Sequence, residues 1–148
     1  MILAGEIVPA GRLGRMQPVT YEAAASSSLD ITDSTTISDI TGASVTLTTA
    51  AANAIAIVDG TFDCNVITTN ASTLMLGRLN VDGSDQTAQA TYAMDTALRG
   101  TVTQTWRVTL ASAGSHTLKL RGSLSAASGR GVFTFQNTKI QIMILEVV

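Results

Sequence analysis

The side chains able to do chemistry in this 148-residue chain are few: one histidine, one cysteine and eleven acidic residues. His116 opens the stretch SHTLKLRGSL, directly after an Ala-Ser-Ala-Gly loop. As a general base it would need a nucleophile within hydrogen-bond reach and an orienting acid, and no GxSxG elbow accompanies it. It has no second histidine with which to build a zinc site. Its parity is that of Leu118 and Leu120, so it reads as a packed or loop-capping residue. On that reading His116→Gln costs at most about 1 kcal/mol, provided no buried hydrogen bond is lost.

Cys64 has no partner for an internal disulfide and sits in TFDCNVIT, which alternates like a strand. It reads as a buried, inert thiol, because a reactive one needs an electropositive setting. Two acidic loops, DITDSTTISD and VDGSDQ, offer oxygen ligands of the kind calcium takes. Neither fits the twelve-residue calcium loop, and aspartate is an ordinary turn residue. Spacing alone leaves a glycosidase carboxylate pair open. A sugar groove, however, presents several aromatics, and the chain has only Trp106, Tyr21, Tyr92 and three phenylalanines. Asn-Ala-Ser at 70–72 matches a glycosylation acceptor formally and is read as accidental. There is no phosphate loop and no dinucleotide fingerprint. The expectation is a protein without catalytic residues, cofactor or metal.

Charged residues make up 14% of the chain and the net charge is −2, which gives no footprint for binding nucleic acid. The opening MILAGEIVPAGR is too broken for a secretory signal or a membrane span. Synthesis in a cytoplasm, a soluble product and no membrane partner are therefore expected. Charge is segregated along the chain. Asp30, Asp33, Asp39, Asp59 and Asp63 fall in a stretch without cations; Arg99, Arg107, Lys119, Arg121, Arg130 and Lys139 fall in one without acids. These runs pair either across strands of one molecule or between subunits.

The elements that must carry these residues are strands. From residue 38 the pattern has period two. Val45 and Leu47 oppose Ser44, Thr46 and Thr48, and NAIAIVDGTFDCNVIT reads as one long strand bent by a bulge near Gly60. TLMLGRLNVDGSDQTAQATYAM reads as a hairpin turning at Asp-Gly. The alternating runs on either side of ASAGS suggest a second hairpin. About eight strands at short spacing, with no amphipathic helix, predict an all-β antiparallel two-sheet sandwich of jelly-roll type over 29–148. An immunoglobulin-like sandwich is the alternative.

Residues 1–28 read as an extended N-terminal arm ending in an Ala/Ser hinge. Glycine and proline at Gly5, Pro9, Gly11, Gly14 and Pro18 interrupt it, yet it keeps apolar residues that suit docking. At the other end, Ile140, Ile142 and Ile144 share one face while Met143, Leu145 and Val147 share the other. Both faces of this last strand are apolar. Either it is central and covered, or its outer face meets a second subunit.

The stretches AGEIVPAGRLGRMQP, ITGASVTLTT, LMLGRLNVDGS, QTWRVTLASAGSHTLKLRGSLS and IQIMILEV together resemble small virion proteins of tailed phages, above all those of actinobacteriophages. The resemblance covers most of the chain and rests on structural patterns. It implies a β-sandwich, often trimeric, exposed on the particle, and it transfers no catalytic residue. A capsid decoration protein on the head surface is one placement, with the major capsid protein as partner and Arg12, Leu13, Arg15 and Met16 docking the arm. A homotrimer held through Met143, Leu145 and Val147 accompanies it. A tail-fibre or spike module binding a host-surface glycan is the alternative, and a carbohydrate-active enzyme the third. Short length and the lack of heptads or shaft repeats favour decoration.

Overall fold

The computed structural model describes residues 18–146, and every regular element among them is a β-strand. In chain order these are β1 (Val19–Ala24), β2 (Leu29–Thr32), β3 (Ser38–Thr49), β4 (Ala54–Thr68) and β5 (Leu74–Val81). β6 (Ser84–Ala93), β7 (Arg99–Leu110), β8 (Gly114–Leu124), β9 (Arg130–Phe133) and β10 (Lys139–Leu145) follow. Alternating β-branched and small polar residues make such strands stable only once one face is covered. Two antiparallel sheets cover each other. One has the order β1-β10-β4-β9-β2 with β7 paired to β4; the other runs β3-β8-β5-β6. This is a two-sheet jelly-roll arrangement, as the period-two pattern predicts.

β4 is the seam of the larger sheet. Its residues 55–61 pair with β10 and 64–68 with β9, end to end along one side. Along its other side, 54–65 pair with β7. Its inward residues Ala54, Ala56, Val58, Phe62, Cys64 and Val66 are buried. They meet Ile40, Leu79, Leu118, Leu120, Leu124, Phe133 and Ile140 in one core. Phe62 lies between Trp106 and Phe133, edge-on to both at centroid distances of 6.5 and 5.9 Å, a geometry that aligns ring edge with ring face.

Several expectations change. β4 is continuous as expected, but it has no bulge at Gly60, where the register runs unbroken against both neighbours. Gly60 is there for space: a Cβ would stand 2.8 Å from the Trp106 ring. The irregularity lies further on, at Val66–Thr68 against β9. The hairpin at VDGS is present, with Asp82 and Gly83 both at positive φ (49° and 90°), as a tight turn of this kind demands.

The segment around ASAGS is not a hairpin. β7 belongs to the larger sheet and β8 to the smaller, so this loop crosses from one layer to the other. Local alternation is the same in either case, and the partner strands decide.

The hinge expected at the end of residues 1–28 is also corrected. Val19–Ala24 pairs with β10 along its whole length. Ala25 N–H then donates to Thr138 O at 2.9 Å and Ser26 N–H to Thr41 O at 2.8 Å, tying the Ala/Ser stretch to both sheets. Tyr21 and Ala23 turn inward against the core. The sandwich therefore begins at β1, and the rest of the expected arm, residues 1–17, lies outside the described residues.

Candidate interaction surface

The outer face of the larger sheet is organised in cross-strand rows. Thr20 of β1, Met143 of β10, Ile57 of β4 and Arg107 of β7 stand in one row. Glu22, Gln141, Asp59 and Thr105 form the next, and Leu145, Ile55 and Thr109 another. A groove of about 440 Å³ lies over β1, β10 and β4, lined by Thr20, Glu22, Ile57, Asp59, Gln141 and Met143 among others. Ile57 and Met143 contribute its apolar lining, and beside them runs a hydrogen-bonded polar row: Gln141 Nε2 donates to Glu22 at 2.8 Å, and Thr105 Oγ1 donates to Asp59.

The last strand behaves as its alternation predicts. Ile140, Ile142 and Ile144 are buried, while Met143 and Leu145 are 40% and 41% exposed. β10 is central, with β1 on one side and β4 on the other, yet its outer face is uncovered. Backbone donors and acceptors on both its edges are taken, so a partner would meet side chains and would not add a strand. Val147 lies outside the described residues, as do Arg12, Leu13, Arg15 and Met16. Thr20 and Glu22 were missed in the sequence because reading 23–28 as a hinge hid the alternation of VTYEAA just before it.

The residues that could do chemistry are occupied elsewhere. His116 is buried at 4% exposure. Its Nδ1 lies 2.6 Å from Asp82 Oδ2 and its Nε2 3.0 Å from Ser112 O. A carbonyl and a carboxylate are both acceptors, so both ring nitrogens must carry protons. The hydrogen bond to Asp82 accordingly raises the His116 pKa above its ordinary value. For Asp82, burial works against the charged form, but the bonds from His116 and from Thr117 N–H outweigh it and the pKa is lowered. His116 is a loop-capping residue, as its parity suggested. It does have a charged partner that the sequence hid, so the small cost expected for its removal is revised upward.

Three acids of one run pair with four cations of the other within the molecule. Arg130 is forked onto Asp30 and Arg99 onto Asp63, while Lys119 and Arg121 hold Asp39. Asp63 is 1% exposed; its bonds from Arg99, aided by Thr134 and Asn137, bring its pKa down to about 2. It anchors the loop between β9 and β10. Asp33 caps the opposite turn, accepting from Gly129 N–H at 2.8 Å. Burial, and then the neighbouring Asp63 charge, push the Cys64 thiol up to about 12, which leaves it protonated. Among the described residues no three His, Cys, Asp or Glu side chains gather as metal ligands, and no helix is long and apolar enough to cross a membrane.

No protein-family model matches the chain, and no curated protein sequence is similar to it. Solved structures are similar in fold. Murine APRIL at pH 5.0 superimposes with a TM-score of 0.54 at 8% identity, over 87% of this chain and 100% of that one. Eiger TNF from S. frugiperda gives 0.53 at 8%, over 88% and 94%. Dimeric latent PorU from Porphyromonas gingivalis gives 0.52 at 10%, over 86% of this chain and 12% of that one. At such identities the likeness is one of architecture, and it places the chain among jelly-roll β-sandwiches.

Proposed function

We propose that the chain is a non-enzymatic structural protein of a phage virion. It decorates the capsid surface, binding the major capsid protein as a homotrimer. The reading is carried by the uncovered apolar patch of Met143, Leu145, Ile55 and Ile57 at the middle of the larger sheet's outer face. Such a sheet offers a contact surface. The phage setting and the number three come from the resemblance of the sequence to small virion proteins, since closed symmetry by itself favours dimers.

Complete burial of a Met or Leu side chain is worth about 1.5–3 kcal/mol. Met143 and Leu145 retain some 40% of their exposure, so roughly 1 kcal/mol each remains to be gained. Two side chains do not hold a trimer, and the neighbouring Ile55 and Ile57 of β4 have to take part. Residues 1–17 supply the docking arm in this reading. Arg12 and Arg15 would pair with capsid carboxylates, and Leu13 and Met16 would bury apolar surface.

The test is binding of the purified protein to undecorated capsids, with its mass measured by light scattering. A trimer that binds capsids supports the proposal. A monomer at micromolar concentration overturns the trimer, and a protein that binds cells or glycans and ignores capsids belongs to the tail.

A further inference from the structure

The smaller sheet carries a charged row on its outer face: Asp39 of β3, Arg121 of β8, Arg78 of β5 and Gln89 of β6 stand in register. Two arginines directly opposite one another repel, which an ordinary surface avoids. The Nε of each arginine is buried without a hydrogen bond, although that of Arg121 lies 2.8 Å from Asp39 Oδ1. They differ at the end of the fork. Arg121 Nη1 donates to both oxygens of Asp85 at 3.0 Å and its Nη2 to Ile37 O at 3.1 Å. Arg78 makes no ion pair among the described residues. Asp85, the nearest acid, is taken up by Arg121 and by Asn80, whose Nδ2 donates to it at 2.5 Å.

We infer that Arg78, flanked by Arg121 and Gln89, is the receptor for a carboxylate presented by an acidic side chain of a partner protein. A guanidinium fork with unused donors matches a carboxylate in shape and charge. The local charge selects its valence. Arg78, Arg121 and Lys119 stand against Asp39 and Asp85, a surplus of one positive charge. One carboxylate neutralises it, whereas a phosphate would bring excess negative charge beside Asp85. This site lies on the sheet opposite the Met143 row and does not rest on the capsid reading.

Two measurements on the full-length protein test it. The Arg Nε–H resonances of isotope-labelled protein are followed while N-acetylglutamate amide or, separately, inorganic phosphate is added. A saturating shift at Arg78 with the carboxylate, against a linear drift at exposed Arg107 on the other sheet, is expected. Equal responses at the two arginines overturn the site, and tighter saturation by phosphate overturns the carboxylate assignment. Arg78→Met keeps the aliphatic stem and removes the unpaired charge. It is expected to raise the melting temperature of the ligand-free protein and abolish the rise that N-acetylglutamate amide gives the wild type. A variant that melts lower than wild type would make Arg78 a structural residue and sink the proposal.

Discussion

The two outer faces of this sandwich are built from similar strands and do opposite things. On the smaller sheet, cross-strand neighbours satisfy one another: Lys119 and Arg121 hold Asp39, Arg121 also holds Asp85, and Thr46 and Thr117 share a hydrogen bond at 3.1 Å. On the larger sheet, Met143, Leu145, Ile57 and Ile55 form an apolar middle on β10 and β4, with polar residues such as Thr20, Arg107 and Thr109 on the flanking strands and the Glu22–Gln141–Asp59–Thr105 row beside it. A surface that completes its own pairs has little to offer a partner, because each pair must be desolvated before it is replaced. Apolar side chains left in water gain from any cover. The difference separates a face that completes its own pairs from one that leaves apolar side chains in water, with Arg78 as the exception on the first.

The contrast breaks most visibly at the strand that completes the contact face. Deleting residues 1–28 removes β1, strips the hydrogen bonds from one edge of β10 and exposes the core beside Tyr21 and Ala23. Loss of the cooperative unfolding transition is expected by circular dichroism. Deleting only 1–17 is expected to leave that transition intact while ending capsid binding. Retained folding without β1 would mean that the contact face is not a cooperative part of the sandwich.

Next in size is Leu145→Asp. An unpaired carboxylate in a dry interface is opposed by desolvation, so the oligomer should dissociate at least tenfold more readily, with the monomer still folded because Leu145 is already 41% exposed. Sedimentation velocity reads both. Thr46→Asp on the other sheet is the control and should leave association unchanged.

His116→Gln is expected to destabilise the fold by about 1–3 kcal/mol, the cost of leaving buried partners unsatisfied. The effect depends on pH. The raised His116 pKa means its contribution is complete below the ordinary histidine value of about 6.5 and is lost as pH rises through the raised one. The lowered Asp82 pKa means its contribution holds above about 3.9 and is lost as pH falls through the lowered one. Denaturant titrations should show the largest gap between variant and wild type near pH 5 to 6 and a narrowing gap on the alkaline side. A gap independent of pH would mean that the imidazole is neutral in the fold.

The smallest effect belongs to the self-paired face. Lys119→Ala removes an ion pair in which Asp39 is 49% exposed, and such pairs are worth about 0.2–1 kcal/mol and weaken with salt. A larger, salt-independent loss would show that this face does more than satisfy itself.

What the sequence revealed follows from how locally each feature is determined. The Asp82-Gly83 turn, the length of β4 and the two faces of β10 are written in neighbouring residues, and all three were legible. The split of β7 and β8 between layers was not, because TVTQTWRVTL alternates the same way whichever sheet receives it. Its place is set by β4, which lies far away in the chain. Nor was the His116–Asp82 bond, or the juxtaposition of Arg78 with Arg121, since each depends on the register of strands that meet only after folding. β1 was hidden for another reason: proline and glycine ahead of it suggested an arm, and its inward residues, Tyr21 and Ala23, form too short a run to announce a strand.

The position of β4 as the seam also sets an order of events as the chain is made. Its three hydrogen-bonded neighbours are β7, β9 and β10, all later in sequence. While a ribosome is extending the chain, β4 emerges with Ile55, Ile57, Val58 and Phe62 and finds no partner until β7 follows. The smaller sheet meets a similar delay, because β3 waits for β8, but β5 and β6 form their hairpin at once. Long-range pairing of this kind slows folding and leaves strand edges open to other chains. At high expression, nascent copies would therefore find one another through β4 before each could finish its own sheet, and slower synthesis at lower temperature would favour the native sandwich over inclusion bodies.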